Sequence, residues 1–240
     1  MRSRALPVLA FVIVTLSVAC FVRADEPSQE KKPASCTPQE KDPQRHEQFM
    51  KRKHEGNVGL LFLGDSITDG WRGSGRKIFE DRYDKYDAAN FGIGGDRTEH
   101  ILWRIDHGEL DDIHPKVVVL MIGTNNLGSH QSVDDTVAGI KCDVDAIHNK
   151  LPDAKILLLA IFPRGHRADD PFREQIKQAN EQISQFDGKD NVKYLDINPK
   201  FLEDDGALSK FVMPDYLHPN EMGYQIWAKA MQPTLEKMMK

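Results

Sequence analysis

Three runs of apolar residues constrain the fold of this chain more than any other feature. They occupy residues 58–63, 117–122 and 156–160. Apolar residues are continuous in each run rather than alternating, which is typical of strands in a parallel sheet that is covered on both faces. Two shorter candidate strands occupy residues 88–91 and 192–197. The runs therefore predict a buried parallel sheet with helices on either side.

Amphipathic segments separate these runs. Between residues 133 and 151, apolar side chains recur at spacings of three and four and form one stripe along a helix. Ser132 with Asp135, and Asp96 with Glu99, match the pattern of a helix start. The alternation of strands and helices predicts a three-layer α/β/α sandwich with right-handed connections, in which chemistry takes place at the carboxyl ends of the strands.

The first 24 residues have the pattern of a secretory signal peptide. Arg2 and Arg4 precede an uncharged stretch from residue 5 to residue 22, and residues 22–24 offer a cleavage site. Two alternatives stay open: an uncleaved membrane anchor, and lipid attachment at Cys20. All three readings predict a folded domain outside the cytoplasm, secreted or periplasmic.

Residues 25–43 are predicted to be a linker. Four prolines interrupt a run of Glu, Lys, Gln and Ser that contains almost no apolar side chain. Such a stretch buries too little surface to offset its ordering entropy, so we expect it to be extended or disordered. The folded domain is predicted to span residues 44–240.

Composition excludes several classes of protein and partner. The chain is 40% hydrophobic and 29% charged, which excludes a disordered or multi-spanning membrane protein. Its formal charge of −5 becomes −8 without residues 1–24, because 29 basic and 37 acidic residues remain. An acidic chain without a Lys/Arg block is a poor binder of nucleic acid. We expect no nucleic-acid partner and no membrane association of the mature domain, and a homodimer stays open.

Signal cleavage would leave two cysteines, Cys36 and Cys142. Cys142 lies opposite the apolar stripe of its predicted helix. It is either a small residue that lets another helix pack closely, or half of a disulfide bond with Cys36, which an oxidising compartment would allow.

Four polar segments follow the predicted strands or precede the C-terminal helix. They occupy residues 64–69 (GDSITD), 90–96 (NFGIGGD), 123–126 (GTNN) and 215–220 (DYLHPN). Each alone could be a turn or a helix cap. Because the carboxyl ends of parallel strands share one edge of a sheet, their joint occurrence predicts an active site.

Within these segments, Ser66, His218 and Asp215 have the residue types of a catalytic triad. A serine hydroxyl is a weak nucleophile unless a base accepts its proton, and an imidazole suits that role. Asp215 precedes His218 by three residues and can hold one ring nitrogen protonated, so that the other faces Ser66. Asp196, at a strand end, could instead be the acid that orients His218, but proximity in sequence favours Asp215.

Three donors are available for the oxyanion that forms when a serine attacks an ester. They are the backbone N–H groups of Ser66 and Gly95 and the side-chain amide of Asn125. A glycine at position 95 allows the backbone to approach a substrate closely, which a β-carbon would obstruct.

These segments resemble the four sequence blocks of the SGNH (GDSL-type) hydrolase superfamily. Within it the chain is most similar to the catalytic subunits of platelet-activating-factor acetylhydrolases of the Ib type. The resemblance covers roughly residues 58–235 and extends to residues 102–104, 108–110, 115–117 and 163–165. The signal peptide and the linker are departures from the intracellular animal enzymes of that type.

The resemblance implies a flavodoxin-like α/β/α sandwich with five parallel strands. It also implies that Ser66 is the nucleophile, that Asp215 and His218 complete the triad, and that Gly95 and Asn125 complete the oxyanion hole.

We expect no cofactor and no metal. Residues 92–95 resemble part of a dinucleotide-binding loop, but Arg97 stands where that motif requires its last glycine. His100 and His107 could share a helix face, yet no set of Cys or carboxylate residues completes a metal site, so both histidines are expected at the surface.

Three functions stay open, and the first is favoured. It is a secreted serine esterase that removes short acyl groups, above all acetyl, from a carbohydrate or another small polar substrate. The second is a phospholipid acetylhydrolase or lysophospholipase, which the family resemblance suggests. The third is a non-catalytic carbohydrate-binding protein, which is disfavoured because every catalytic position holds the required residue type. Short acyl groups are favoured because residues 163–171 are mostly polar and no long apolar insertion follows any block.

Overall fold

The five predicted strands form one sheet. The computed structural model describes residues 32–240, so the predicted signal peptide, Cys20 and residues 25–31 of the predicted linker lie outside the described residues. The strands are β1 (Leu60–Gly64), β2 (Ala88–Gly92), β3 (Val117–Met121), β4 (Lys155–Leu159) and β5 (Val192–Leu195). Their order is β2-β1-β3-β4-β5, and every neighbouring pair is parallel. The predicted five-stranded parallel α/β/α sandwich is confirmed.

Helices connect the strands and cover both faces of the sheet. They are α1 (Pro43–His54), α2 (Ser66–Asp69), α3 (Arg76–Tyr83), α4 (Thr98–Asp106), α5 (Thr124–Gly128), α6 (Val133–Lys150), α7 (Pro171–Ile183) and α8 (Glu221–Met238). Between residues 32 and 240, no helix is both long enough and apolar enough to cross a membrane.

Alternate residues of each strand point to opposite faces of the sheet, and each face has its own apolar core. In β1, Leu61 and Leu63 belong to the core that includes residues of α4, α6 and α7. Leu60 and Phe62 belong to the core that includes residues of α3 and α8. Every residue of β1 and of β3 is buried. Burial on both faces explains why the sequence shows continuous apolar runs.

One of the two predicted helix starts is correct and the other is wrong. Ser132 caps α6, because its side chain accepts a hydrogen bond from the N–H of Asp135. Helix α4 instead begins at Thr98, and Asp96 does not cap it. The Asp96 carboxylate is buried and accepts hydrogen bonds from cationic side chains, since a buried ionised carboxylate needs such partners more than a helix end needs a cap.

Residues 33–42, which we call the N-terminal strap, pack on the domain. A 3-10 turn at Ala34–Cys36 buries Ser35 and Cys36. The Ser35 carbonyl accepts a hydrogen bond of 2.9 Å from the hydroxyl of Thr98. The compact unit begins at Lys32, so the folded part starts earlier than the predicted boundary at residue 44. From residue 32 onward, the chain departs from the predicted extended or disordered linker.

A disulfide bond explains how this polar segment is ordered. Cys36 is bonded to Cys142 of α6, with 5.8 Å between the two Cα atoms and a sequence separation of 106 residues. Of the two roles open for Cys142, the structure therefore shows the disulfide. A cross-link that closes a long loop reduces the entropy of the unfolded chain, so the strap needs less buried apolar surface to stay ordered.

We expect loss of this disulfide to destabilise the domain by roughly 2–5 kcal/mol, the usual range for a native cross-link. Thermal unfolding of the wild-type chain and of the Cys36→Ser/Cys142→Ser double variant should be compared with and without dithiothreitol. The reductant should lower the wild-type midpoint to that of the double variant and leave the variant unchanged. A wild-type midpoint that does not respond to reduction would show that the bond adds nothing to stability.

Candidate active site

Ser66 lies where β1 ends and the short helix α2 begins. Asp65 caps this helix, because its Oδ1 accepts a hydrogen bond of 2.9 Å from the N–H of Ile67. Since Ser66 is the first helical residue, its own N–H has no partner within the helix. The Ser66 hydroxyl and N–H are thus both placed at the carboxyl edge of the sheet.

The three residues of the predicted triad are joined by hydrogen bonds. Ser66 Oγ lies 2.8 Å from His218 Nε2, although the two residues are 152 positions apart in sequence. His218 Nδ1 lies 2.6 Å from Asp215 Oδ2. The competing acid, Asp196, instead accepts the N–H of Asn198 and lines a separate cavity. The structure therefore brings Asp215, and not Asp196, to the histidine.

Opposing effects set the ionisation of Asp215. Burial acts to raise its pKa, but hydrogen bonds from the N–H and the ring of His218 and from the N–H of Leu217 outweigh burial, so the pKa lies below its ordinary value. The carboxylate therefore stays ionised at neutral pH. In that state it can stabilise an imidazolium on His218.

The loop after β2 lies beside Ser66. A β-carbon added at Gly94 would lie 4.0 Å from the β-carbon of Ser66. The N–H of Asp96 donates to the carbonyl of Ile93 over 3.1 Å, and Gly95 has a φ of 74°. These are the features of a type II turn with glycine at its third position. Among residues 32–240, the Gly95 N–H has no hydrogen-bond partner, so it is available to a ligand.

Asn125 joins the same loop from the end of β3. It is the second residue of α5, and its Nδ2 donates a hydrogen bond of 2.9 Å to the carbonyl of Asp96. An amide nitrogen carries two N–H groups, so one remains for a further acceptor. The structure thus places the five predicted site residues around one edge of the sheet: Ser66, Gly95, Asn125, Asp215 and His218.

Behind Ser66, the side chain of Asp65 is fully buried. Its Oδ2 has no hydrogen-bond partner among residues 32–240. Burial raises the pKa of Asp65 to about 7, and the nearby carboxylate of Asp96 adds to that rise. This group is not predictable from the sequence, because the residue type at position 65 carries no signal of how deeply it is buried.

The prediction of a surface position is wrong for His100, which is buried, while His107 is exposed. His100 Nδ1 accepts a hydrogen bond of 2.9 Å from the N–H of Arg97. Burial, together with the charge of Arg97, lowers the pKa of His100 to about 4, so this ring is neutral at pH 7. Between residues 32 and 240, no three His, Cys, Asp or Glu side chains are grouped so as to hold a metal ion.

This architecture is that of an SGNH-type hydrolase: a parallel α/β/α sandwich with a hydrogen-bonded Ser–His–Asp triad at the carboxyl ends of its strands. Residues 62–226 match the model of the GDSL-like Lipase/Acylhydrolase family. The chain belongs to this family and is an ester hydrolase, as the sequence resemblance predicted.

Curated relatives cover most of the chain. It is 34% identical over 195 residues to the human platelet-activating factor acetylhydrolase IB subunit alpha1, a match that covers 81% of this chain and 82% of that protein. It is 37% identical over 197 residues to the rat subunit alpha2, with the same coverage of each protein.

Solved structures share the fold. A GDSL-like lipase from Bacteroides thetaiotaomicron superposes with a TM-score of 0.63 at 19% identity, covering 80% of this chain and 97% of that one. An acetylxylan esterase from Geobacillus stearothermophilus superposes with a TM-score of 0.59 at 21% identity, covering 76% and 95%.

The raised pKa of Asp65 predicts how stability changes with pH. Between about pH 4, the ordinary pKa of Asp, and about pH 7, the folded value, the native state holds a proton that the unfolded chain has lost. Stability should therefore fall as the pH rises through this window. Asp65→Asn keeps an oxygen for the Ile67 N–H but carries no charge.

We therefore expect the Asp65→Asn variant to gain thermal stability relative to wild type as the pH rises from about 4 to about 7. Midpoints of thermal unfolding should be measured for both proteins across that range. Asp153→Asn, on an exposed side chain, is the matched control and should show no such trend. A constant difference between Asp65→Asn and wild type would mean that the buried carboxyl does not titrate there.

Proposed function

We propose that this chain is an exported serine esterase that removes short acyl groups, above all acetyl, through an acyl-enzyme intermediate. The observation that carries the proposal is the hydrogen-bonded triad. Ser66 Oγ lies 2.8 Å from His218 Nε2, and His218 Nδ1 lies 2.6 Å from Asp215 Oδ2. The loop beside Ser66 adds the N–H of Gly95, which has no hydrogen-bond partner among residues 32–240, and the amide of Asn125, which is bonded to that loop.

This arrangement supports a two-step hydrolysis. Ser66 Oγ attacks the ester carbonyl carbon while His218 Nε2 accepts its proton, and Asp215 stabilises the imidazolium that forms. The N–H groups of Ser66 and Gly95 and the Asn125 amide donate to the oxyanion. His218 then protonates the leaving alcohol, and a water molecule activated by the same ring releases the acyl group from Ser66.

The surroundings of Asn125 favour a small acyl group. The guanidinium of Arg164 lies 4.3 Å from the ring centroid of Phe172 and donates a hydrogen bond of 3.3 Å to the carbonyl of Thr124. A β-carbon at Gly128 would lie 2.6 Å from the same guanidinium, so Arg164 fills the space along α5. A long acyl chain would gain about 0.8 kcal/mol per buried methylene on an apolar surface, which a guanidinium does not provide.

The surface beside Asp215 fits a polar alcohol group. A shallow cavity of about 350 Å³ is bordered by Arg164, His166, Asp170, Asp215 and Tyr216. The rings of His166 and Tyr216 lie 4.7 Å apart within it. Charged groups beside aromatic rings suit a sugar, whose hydroxyls and ring faces they can contact. The structural neighbour named as an acetylxylan esterase agrees with an acetylated carbohydrate as substrate.

Two observations support export. Residues 1–24 have the pattern of a signal peptide. The bond between Cys36 and Cys142 is of the kind that persists in oxidising compartments and is rare in the cytosol.

A phospholipid acetylhydrolase is the second candidate, and one surface feature favours it. Phe211 is 81% exposed and Met222 is 56% exposed. Both border a cavity of about 510 Å³ that shares Asn220 with a smaller cavity next to His218. This apolar surface could contact lipid chains, and the curated relatives are named as platelet-activating factor acetylhydrolases.

A series of p-nitrophenyl esters from acetate to octanoate tests the proposal. We expect kcat/KM to be highest for acetyl or propionyl and to fall by butyryl or hexanoyl, because each added methylene finds little apolar surface. Ser66→Ala is the blank and should lose nearly all turnover. A maximum at eight carbons would contradict the short-acyl proposal, and a wild-type chain inactive on every ester would contradict the esterase itself.

The same preparation should then be assayed on acetylated xylo-oligosaccharides and on a short-chain acetyl phospholipid. A higher kcat/KM for the oligosaccharides supports the first candidate. A higher value for the phospholipid that falls in Phe211→Ser would support the second.

A further inference from the structure

The N-terminal strap places a lysine beside the candidate oxyanion hole. Lys41 Nζ donates hydrogen bonds to the carbonyl of Gly94 and, over 3.2 Å, to Oδ1 of Asp96. A β-carbon added at Gly95 would lie 3.3 Å from the same nitrogen. The ammonium group therefore lies against all three residues of this loop: Gly94, Gly95 and Asp96.

The contact with Gly94 determines where the Gly95 N–H points. The carbonyl of Gly94 and the N–H of Gly95 belong to one peptide unit, and no described peptide bond is cis. In a planar trans peptide these two groups point in opposite directions. A donor that holds the Gly94 carbonyl on the side of the strap therefore directs the Gly95 N–H to the other side. Donation to that carbonyl also polarises the amide and strengthens its N–H as a donor.

This peptide needs an external partner because its own sequence does not fix it. It is the central peptide of the turn from Ile93 to Asp96, and types I and II of such a turn differ by a flip of that peptide. Both flanking residues are glycines, which adopt positive and negative φ values with similar ease. The residues of the turn therefore do not by themselves prevent the Gly94–Gly95 peptide from rotating its N–H away from the site.

Contacts of the residues before and after Lys41 fix the position of its backbone. Before it, the strap is bonded through Cys36 to Cys142, and the N–H of Gln39 donates to the carbonyl of Glu99 over 2.9 Å. After it, Asp42 caps α1. The lysine side chain keeps 31% of its surface exposed, so it lies at the rim of the site rather than in the core.

We propose that Lys41 is a positioning residue of the oxyanion hole: it holds the Gly94–Gly95 peptide in the orientation that presents the Gly95 N–H to the reacting carbonyl. The inference rests on the proposed esterase function. It makes the strap and its disulfide part of the structure that orients the oxyanion hole.

The test compares Lys41→Met, Lys41→Arg and a matched control, Lys51→Met. Lys51 lies on α1 with its side chain 68% exposed, and within residues 32–240 its one ion pair is with the exposed Glu47. We expect kcat for p-nitrophenyl acetate to fall at least ~10-fold in Lys41→Met, but not beyond the ~10²–10³-fold loss typical of deleting one oxyanion donor, as in Asn125→Ala. KM should change less than kcat, because the oxyanion forms only in the transition state.

Two readouts separate positioning from a purely structural role. Active sites should be counted by titration with a fluorophosphonate, so that kcat is expressed per competent site. A boronic acid, which forms a tetrahedral anionic adduct with a serine, should bind Lys41→Met more weakly by about the factor lost in kcat. Lys41→Arg should recover most of kcat, because a guanidinium can donate to both the Gly94 carbonyl and Asp96, and Lys51→Met should match wild type.

An unchanged kcat per active site in Lys41→Met would overturn the role of Lys41, even if fewer sites were competent. A rise in KM alone would also overturn it, since that result indicates a direct substrate contact. If either result is obtained while the wild type is active and Ser66→Ala is inactive, the proposed esterase function is still supported. A wild type without esterase activity overturns both proposals.

Discussion

The geometry of the candidate site depends on the hydrogen bonds that the buried guanidinium of Arg104 donates. This group donates to Oδ2 of Asp96 over 2.9 Å, to the carbonyl of Phe91 over 3.1 Å and to the carboxylate of Glu109. One side chain thus joins β2, the loop that follows it and the turn after α4. Removing one partner of such a buried pair usually costs roughly 3–5 kcal/mol, because the other charge is left uncompensated. The carbonyl of Asp96 in turn orients Asn125.

Those features that depend on local pattern or shared topology were predictable from sequence. Continuous apolar runs predicted β1, β3 and β4 because a strand covered on both faces has no polar alternation. The side chains of Ser66 and Asn125 were expected to lie together, since the carboxyl ends of parallel strands share one edge. Within the final loop, a spacing of three residues was enough to pair Asp215 with His218.

Features that depend on long-range contacts were not predictable. The composition of the strap predicts disorder, whereas its order depends on the bond between Cys36 and Cys142, 106 residues apart, and on hydrogen bonds to Thr98 and Glu99. The buried positions of His100 and Asp65 follow from packing that a single position does not reveal. Lys41 lies in a charged, proline-rich segment, where nothing in the residue types marks it as a partner of the loop 53 positions away.

Covalent labelling tests most directly whether His218 activates Ser66 as a nucleophile. A fluorophosphonate probe should modify one residue per chain, and peptide mass spectrometry should place that modification on Ser66. His218→Ala, with the same fold and the same serine, should be labelled far more slowly, because no base accepts the hydroxyl proton. Modification of a different residue, or labelling of His218→Ala at the wild-type rate, would contradict the assignment of Ser66 and His218 as an activated pair.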